Sequence, residues 1–454
     1  MIFEGITADK VARIAKNMNG SGGPTLVDTD TWKDILCSKA FGNKSEELCQ
    51  SIAELARKLC TEQIHPDCLV EYNACRLVPL DKGLTKEMTP GVRPIGIGEV
   101  LKRIVGKLLI GVIKEDIIEA VGPLQTYSGL KGGIEAAIYA MRRTYEDNAT
   151  EALLLVDAEN AFNFLNRKVA LQNIKQICPP LYLYLSNTYQ TPAKLIIQGD
   201  KMHDIITSEE GCIQGDVPAT ALYGLGMKTL IDNLAEAIDV QKCIQSWFAD
   251  DSSAAGKLEE MKKWWDILCA MGPKYGYFPL ATKTILIVKE DQEEKAREVF
   301  GQTGISITTE GERHLGAVIG SEEYKQKFVE NKISKWVNDV ETLAEIAQDE
   351  PQSVYSCFTK AIIHRWTYIQ RTIPNISHLF APLETAIREK LVPALIGRNV
   401  SDIERRIIAL PVKLGGLGIA DPTQTADDQF QASVTITENL ADIICRQEKD
   451  LSDS

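Results

Sequence analysis

Three short stretches of this chain carry side chains whose types and spacing suit chemistry. Asp157 directly follows the apolar run Leu153-Leu154-Leu155-Val156. A carboxylate at the carboxyl end of a buried strand can hold a metal in a crevice, or equally cap the next helix. In Trp247-Phe248-Ala249-Asp250-Asp251-Ser252, two adjacent carboxylates end an aromatic-rich strand, a pattern that also suits a polar hairpin turn. Such carboxylates repel, and with a third nearby they resist full ionisation unless a divalent cation neutralises them. Oxygen ligands of this charge favour Mg²⁺ or Mn²⁺, ions that activate a hydroxyl and stabilise the leaving oxygen in an in-line phosphoryl displacement. Gly211-Cys212-Ile213-Gln214-Gly215-Asp216 is a turn into a helix. Its glycines admit close approach of a ligand and the helix start favours anions, although alone it reads simply as a helix start. Phe162, soon after Asp157, reads alone as a core aromatic.

These residues need a scaffold that gathers distant segments. Residues 152–156 form a continuous apolar run too short for a helix and are predicted to be a buried strand. Further strands are expected at 194–197, 243–248, 284–288 and 315–319, and the proline-containing runs 76–80 and 92–97 read as edge strands. Leu48, Ile52, Leu55 and Leu59 share one face of a helix over 45–62, and other helices are predicted over 99–120, 134–147, 167–177, 216–238 and 258–275. After Ser321 only helical patterns remain, up to the turn region 410–418. The expected architecture is an α/β body of some 320 residues with a helical appendage and an acidic end, 448–454, that frays.

Lys plus Arg number 50 against 63 Asp plus Glu, a net charge of −13, so no bulk positive field gathers nucleic acid. Any polyanion site must be local. Residues 351–413 offer one, because Lys360, Arg365, Arg371, Arg388, Lys390, Arg398, Arg405, Arg406 and Lys413 outnumber Glu384, Glu389, Asp402 and Glu404. The 11 cysteines and 5 histidines are dispersed, which excludes a zinc knuckle or disulfide framework and fits free thiols in a reducing compartment. The start Met1-Ile2-Phe3-Glu4-Gly5 has no signal-peptide pattern, and Lys102, Arg103 and Lys107 break the most apolar run. An intracellular protein, nuclear or cytoplasmic and without a membrane partner, is expected.

Taken in order, these segments resemble the motifs of reverse transcriptases, closest to the type found in retrotransposons without long terminal repeats. Arg93-Pro94-Ile95 resembles a fingers motif, Asp157 to Phe162 the first catalytic motif of the palm, and Gln214-Gly215 the second. Phe248-Ala249-Asp250-Asp251 resembles the aspartate-pair motif, Lys283-Thr284 the lysine-bearing motif, and His314-Leu315-Gly316-Ala317 the primer grip. Gly20-Ser21-Gly22-Gly23-Pro24 before Trp32, and 125–135 with Gly129, Gly132 and Gly133, are similar to extra fingers segments, so the resemblance covers residues 20–420.

The resemblance implies an α/β (α+β) right-hand polymerase, with fingers, a palm whose antiparallel sheet carries the aspartates, and a helical thumb. It divides the chain into an N-terminal extension and fingers (1–152), a palm with an interleaved fingers segment (153–320, the reverse transcriptase domain being 76–320), a thumb (321–420), and a C-terminal helix and acidic tail (421–454). It further implies an RNA-directed DNA polymerase in which Asp157 and Asp250, with Asp251 nearby, bind Mg²⁺ or Mn²⁺. Lys283 would give a proton to the leaving pyrophosphate, and Arg93, with Lys82 and Arg76, would clamp the triphosphate. Gln214 and Gly215 would contact substrate, and Phe162 would bar a 2′-hydroxyl. The implied partners are an RNA template, a DNA or RNA primer and deoxynucleoside triphosphates; no protein partner is specified. Two departures stand out. Val217 separates Asp216 from Pro218, where the family commonly has proline directly after this triplet, and no zinc finger, endonuclease or ribonuclease H segment is recognisable. A catalytically inactive nucleic-acid-binding remnant of a retroelement is therefore the alternative. Phe162 argues against an RNA-directed RNA polymerase.

Overall fold

The apolar run 152–156 is the central strand of a five-stranded sheet, and its burial explains its composition. In the computed structural model, which describes residues 2–84, 90–199 and 203–451, the strands are β1 Cys75–Leu84, β2 Pro90–Gly98, β3 Ala152–Val156, β4 Ala193–Gln198, β5 His203–Ser208, β6 Cys243–Phe248, β7 Asp251–Gly256, β8 Ile285–Val288, β9 Ser306–Thr308, β10 Gly311–His314 and β11 Ala317–Gly320. The main sheet has the order β6-β7-β3-β8-β9, with β3 antiparallel to both β7 and β8. Leu154 and Val156 face one hydrophobic core, while Leu153 faces another built on the helix Gly133–Glu146. With both faces covered, β3 has no polar side to show.

The mixed α/β class is as expected, and the predicted helices over 45–62, 134–147, 167–177 and 258–275 are observed as Asn43–Thr61, Gly133–Glu146, Arg167–Ile177 and Leu258–Tyr275. Several elements differ from expectation. The helix expected over 99–120 breaks at Ile113, which is wholly buried at the bend between Val100–Val112 and Lys114–Val121. β1 is not an edge: the second sheet runs β2-β1-β4-β5, and β1 touches β4 only at Cys75 and Arg76. Pro79 lies beyond that contact, where no second ladder partner needs its missing N–H. The strand expected from 315 begins at Ala317, because Leu315 and Gly316, at φ 49° and 86°, make the tight turn of the β10–β11 hairpin.

After Ser321 the described chain is helical and encloses its own core around Trp336, Phe358, Trp366 and Phe380. No helix among the described residues is long and apolar enough to cross a membrane. The chain end is more firmly tied than expected. Helix Pro422–Cys445 packs on Gly133–Glu146, Lys449 pairs with Glu236 at 2.6 Å, and residues 452–454 of the acidic end lie outside the described residues.

Gln447 also completes the free edge of β6. Its Oε1 accepts from the Gln245 N–H at 3.0 Å and its Nε2 donates to the Gln245 carbonyl at 2.8 Å. Two residues along the same edge, the Trp247 N–H donates to the Leu124 carbonyl at 2.8 Å and the Trp247 carbonyl accepts from the Thr126 N–H at 2.9 Å. Gln447→Ala strands two buried backbone groups, so it is expected to cost about 1–3 kcal/mol, read as a lowered urea midpoint. An unchanged midpoint would mean that water replaces the amide at no cost.

Candidate active site

The sheet register gathers the carboxylates. β3 pairs with β7 through Val156↔Ser252, so Asp157, the residue directly after β3, comes beside Asp251, the first of β7. Asp250 lies in the hairpin joining β6 to β7, so this stretch forms the polar hairpin turn, and that turn sets its carboxylates beside Asp157. A segment after helix Leu258–Tyr275 runs alongside Asp157: the Glu159 N–H donates to the Phe278 carbonyl at 2.9 Å and the Leu280 N–H to the Asp157 carbonyl at 2.8 Å. It carries Lys283, whose Nζ stands 3.9 Å from Asp157 Oδ2.

The β1–β2 hairpin faces this cleft. Its base is bonded to the glycine turn, with the Gly96 N–H donating to the Gln214 carbonyl at 2.8 Å. Gly215, at φ 105°, comes so close that a Cβ there would stand 2.8 Å from the Gly96 carbonyl oxygen. The charges of Arg93 and Lys82 both reach Asp250.

Phe162 is half-buried, stacked on Tyr223 at 4.4 Å between ring centroids and edge-on to Tyr127 at 6.3 Å. The Cys212 N–H donates to the Phe162 carbonyl at 2.7 Å, tying this ring's backbone to the glycine turn. The ring is therefore held from two sides.

Electrostatically the cluster wants positive charge. Asp251 is pushed up to about 6, first by desolvation and then by the charges of Asp250 and Asp157, although its side chain still meets solvent. Asp250 is raised as well, first by desolvation and also by Asp157, against the lowering pull of Arg93 and Lys82. Three mutually repelling oxygen donors suit a hard dication. Among the described residues no three such side chains are drawn together tightly enough to grip an ion as they stand, so a bound cation would have to pull the carboxylates inward.

Other expectations fare differently. Arg76 does not point to the cleft: its Nε and Nη2 donate to the Gly22 carbonyl at 3.2 and 3.1 Å, and Nη2 to Ser21 Oγ at 3.0 Å, so it fixes the 18–24 turn. His314 is buried, pushed down to about 3 first by desolvation and then by Arg142, and its Nε2 has no hydrogen-bond partner. It is a neutral core residue. The basic face over 351–413 is largely neutralised, because Arg365 pairs with Asp339, Arg371 with Glu135, Arg388 with Asp402, Lys390 with Glu341, Arg398 with Glu404 and Arg405 with Glu384. Counting charges along the chain missed partners on other helices.

Two contributions escaped sequence reasoning. Tyr277 Oη donates to the Asp250 carbonyl at 2.9 Å, and nothing in its sequence context signals this. Beneath the glycine turn, the buried Asp216 accepts a hydrogen bond from Tyr189 Oη at 2.6 Å and faces Lys102 Nζ at 3.3 Å. Lys102 stood out in the sequence only as an interruption of an apolar run. The intervening Val217 is accommodated by Gly106, where a Cβ would come within 3.0 Å of the Val217 Cβ.

No protein-family model matches the chain. It is 21% identical over 437 residues to the retrotransposable element SLACS 132 kDa protein of Trypanosoma brucei gambiense, a match covering 94% of this chain and 35% of that protein. The chain thus spans about a third of that relative's length, and the resemblance to a retrotransposon protein read from the motifs is borne out. Solved structures similar to it include apo telomerase from Candida tropicalis, at 11% identity and a TM-score of 0.44, covering 86% of this chain and 70% of that one. Telomerase from Candida albicans in complex with a TWJ fragment of telomeric RNA matches at 10% identity and a TM-score of 0.43, covering 90% and 71%.

Proposed function

We infer that this chain is an RNA-directed DNA polymerase, adding deoxynucleotides to a primer 3′-hydroxyl on an RNA template. The observation that carries the reading is the β3–β7 register, which brings Asp157 beside Asp251 and next to Asp250, opposite a hairpin bearing Arg93 and Lys82. In this reading Asp157 and Asp250 hold Mg²⁺ or Mn²⁺, with Asp251 supporting them. Bound there, the cation lowers the charge of the triphosphate and makes the primer hydroxyl a better nucleophile. Arg93 and Lys82 bind the phosphates, Gln214 and Gly215 line the substrate side, and Lys283, within reach of Asp157, supplies a proton to the departing pyrophosphate.

In this reading Phe162 lies beneath the sugar of the incoming nucleotide, and its stacking on Tyr223 keeps it from swinging aside. Phe162→Ala is expected to raise ribonucleotide incorporation relative to deoxynucleotide by roughly 10- to 100-fold, measured as the ratio of the two kcat/KM values. An unchanged ratio would remove Phe162 from sugar selection.

The test of the function is extension of a labelled DNA primer annealed to RNA, with deoxynucleotides and either Mg²⁺ or Mn²⁺. Cation-dependent extension supports the polymerase reading. A folded chain that binds the primed template and incorporates nothing with either ion is instead a binding remnant.

A further inference from the structure

The aspartate turn begins with a backbone conformation that L-residues avoid. Ala249, between Phe248 and Asp250, has a φ of 56°, in the left-handed region that glycine enters freely and a Cβ disfavours. A strained residue of this kind persists only where its surroundings hold it. The Gln125 side chain provides that hold: its Nε2 donates to the Ala249 carbonyl at 2.9 Å, and its Oε1 accepts from the Ala249 N–H at 2.9 Å. Both backbone groups of Ala249 thus pair with one amide, much as they would with a neighbouring strand. Gln125 is wholly buried, and the bonds of Leu124 and Thr126 to Trp247 fix its own backbone on either side. The conformation at Ala249 sets the direction in which the chain leaves β6, and therefore where Asp250 and Asp251 stand.

We propose that Gln125 is a positioning residue, whose amide clamps the Ala249 backbone into the left-handed turn that presents Asp250 and Asp251 to the cleft. Its effect on rate rests on reading that cleft as the polymerase centre; the clamp itself does not.

Gln125→Met keeps the length and volume of the side chain and removes both hydrogen bonds, so lost packing is not the variable. In this variant, hydrogen exchange of a peptide spanning 248–252 is expected to quicken. Primer extension is expected to slow by about 10- to 100-fold through kcat, with the nucleotide KM little changed, because displacing reacting groups by about 1 Å carries a penalty of this order. Adding Ala249→Gly should recover much of that loss, since glycine holds a positive φ unaided. Extension by Gln125→Met at the wild-type rate, unchanged exchange, or no recovery with glycine would each overturn the proposal. If the wild-type chain extends no primer, the polymerase reading falls. The exchange comparison then decides the clamp alone, faster exchange supporting it and equal exchange ending it.

Discussion

Asp157→Asn and Asp250→Asn are each expected to cut primer extension by at least about a thousandfold, a loss on the order of 4 kcal/mol of transition-state stabilisation. Asparagine keeps the shape of aspartate and removes its charge, so the comparison isolates the charge. Asp157 directly follows β3 and Asp250 sits in the β6–β7 turn, and only the antiparallel pairing through Val156↔Ser252 makes them neighbours. Either substitution leaves the opposing carboxylates without a full complement of negative charge to hold a dication. Asp251→Asn should cost less, because Asp251 has the supporting role.

The same substitutions should not harm folding. Asp250 and Asp251 are both raised, with desolvation leading; the charge of Asp157 adds to both shifts and that of Asp250 adds to the shift of Asp251. Neutralising Asp157 or Asp250 relieves that repulsion, so the unfolding midpoint should stay level or rise. Inactive Asp157→Asn and Asp250→Asn proteins with intact midpoints, beside an active wild type, would identify the catalytic carboxylates. Activity within tenfold of wild type in either would sink the assignment.

The parts of this site that were legible in the sequence are those written locally. β3 announced itself as an apolar run with no polar alternation, because both of its faces are covered. β6 was followed closely by its aspartate pair, and the glycine turn carried its own conformational signature at Gly215. What was illegible depends on partners far along the chain. β7 is Asp251-Ser252-Ser253-Ala254-Ala255-Gly256, a sequence of weak strand preference that pairs only because β6 and β3 flank it. Gln125 and Gln447 look like any polar residue until the edge of β6 is placed against them. The charge surplus over 351–413 misled for the same reason, since Asp339, Glu341 and Glu135 lie outside that window.

Lys102→Met is expected to destabilise the protein by about 3–5 kcal/mol, the cost of leaving a buried carboxylate without its counter-charge. Lys102 is 1% exposed and Asp216 is 9% exposed. Burial pulls the ammonium down, but the Asp216 charge acts against it and the net direction is up, so the lysine stays charged in the folded protein. At 3.3 Å the two attract as ions, although Nζ lacks a well-aligned hydrogen bond. Tyr189 Oη and the Val217 N–H complete the carboxylate's partners at 2.6 and 3.1 Å. Asp216→Leu, which strands the ammonium instead, should be comparably damaging, and combining it with Lys102→Met should recover a large part of either loss, because no lone charge is then left inside. Shifts in urea midpoint across this cycle measure the coupling, and single variants costing under about 1 kcal/mol would show that the pair is not needed. A second consequence is kinetic. Asp216 anchors the turn whose Gln214 carbonyl accepts from Gly96, so slackening the anchor loosens the base of the hairpin that carries Arg93 and Lys82. In the single variants that remain folded, nucleotide KM should therefore rise more than kcat falls, the opposite split from that expected of Gln125→Met.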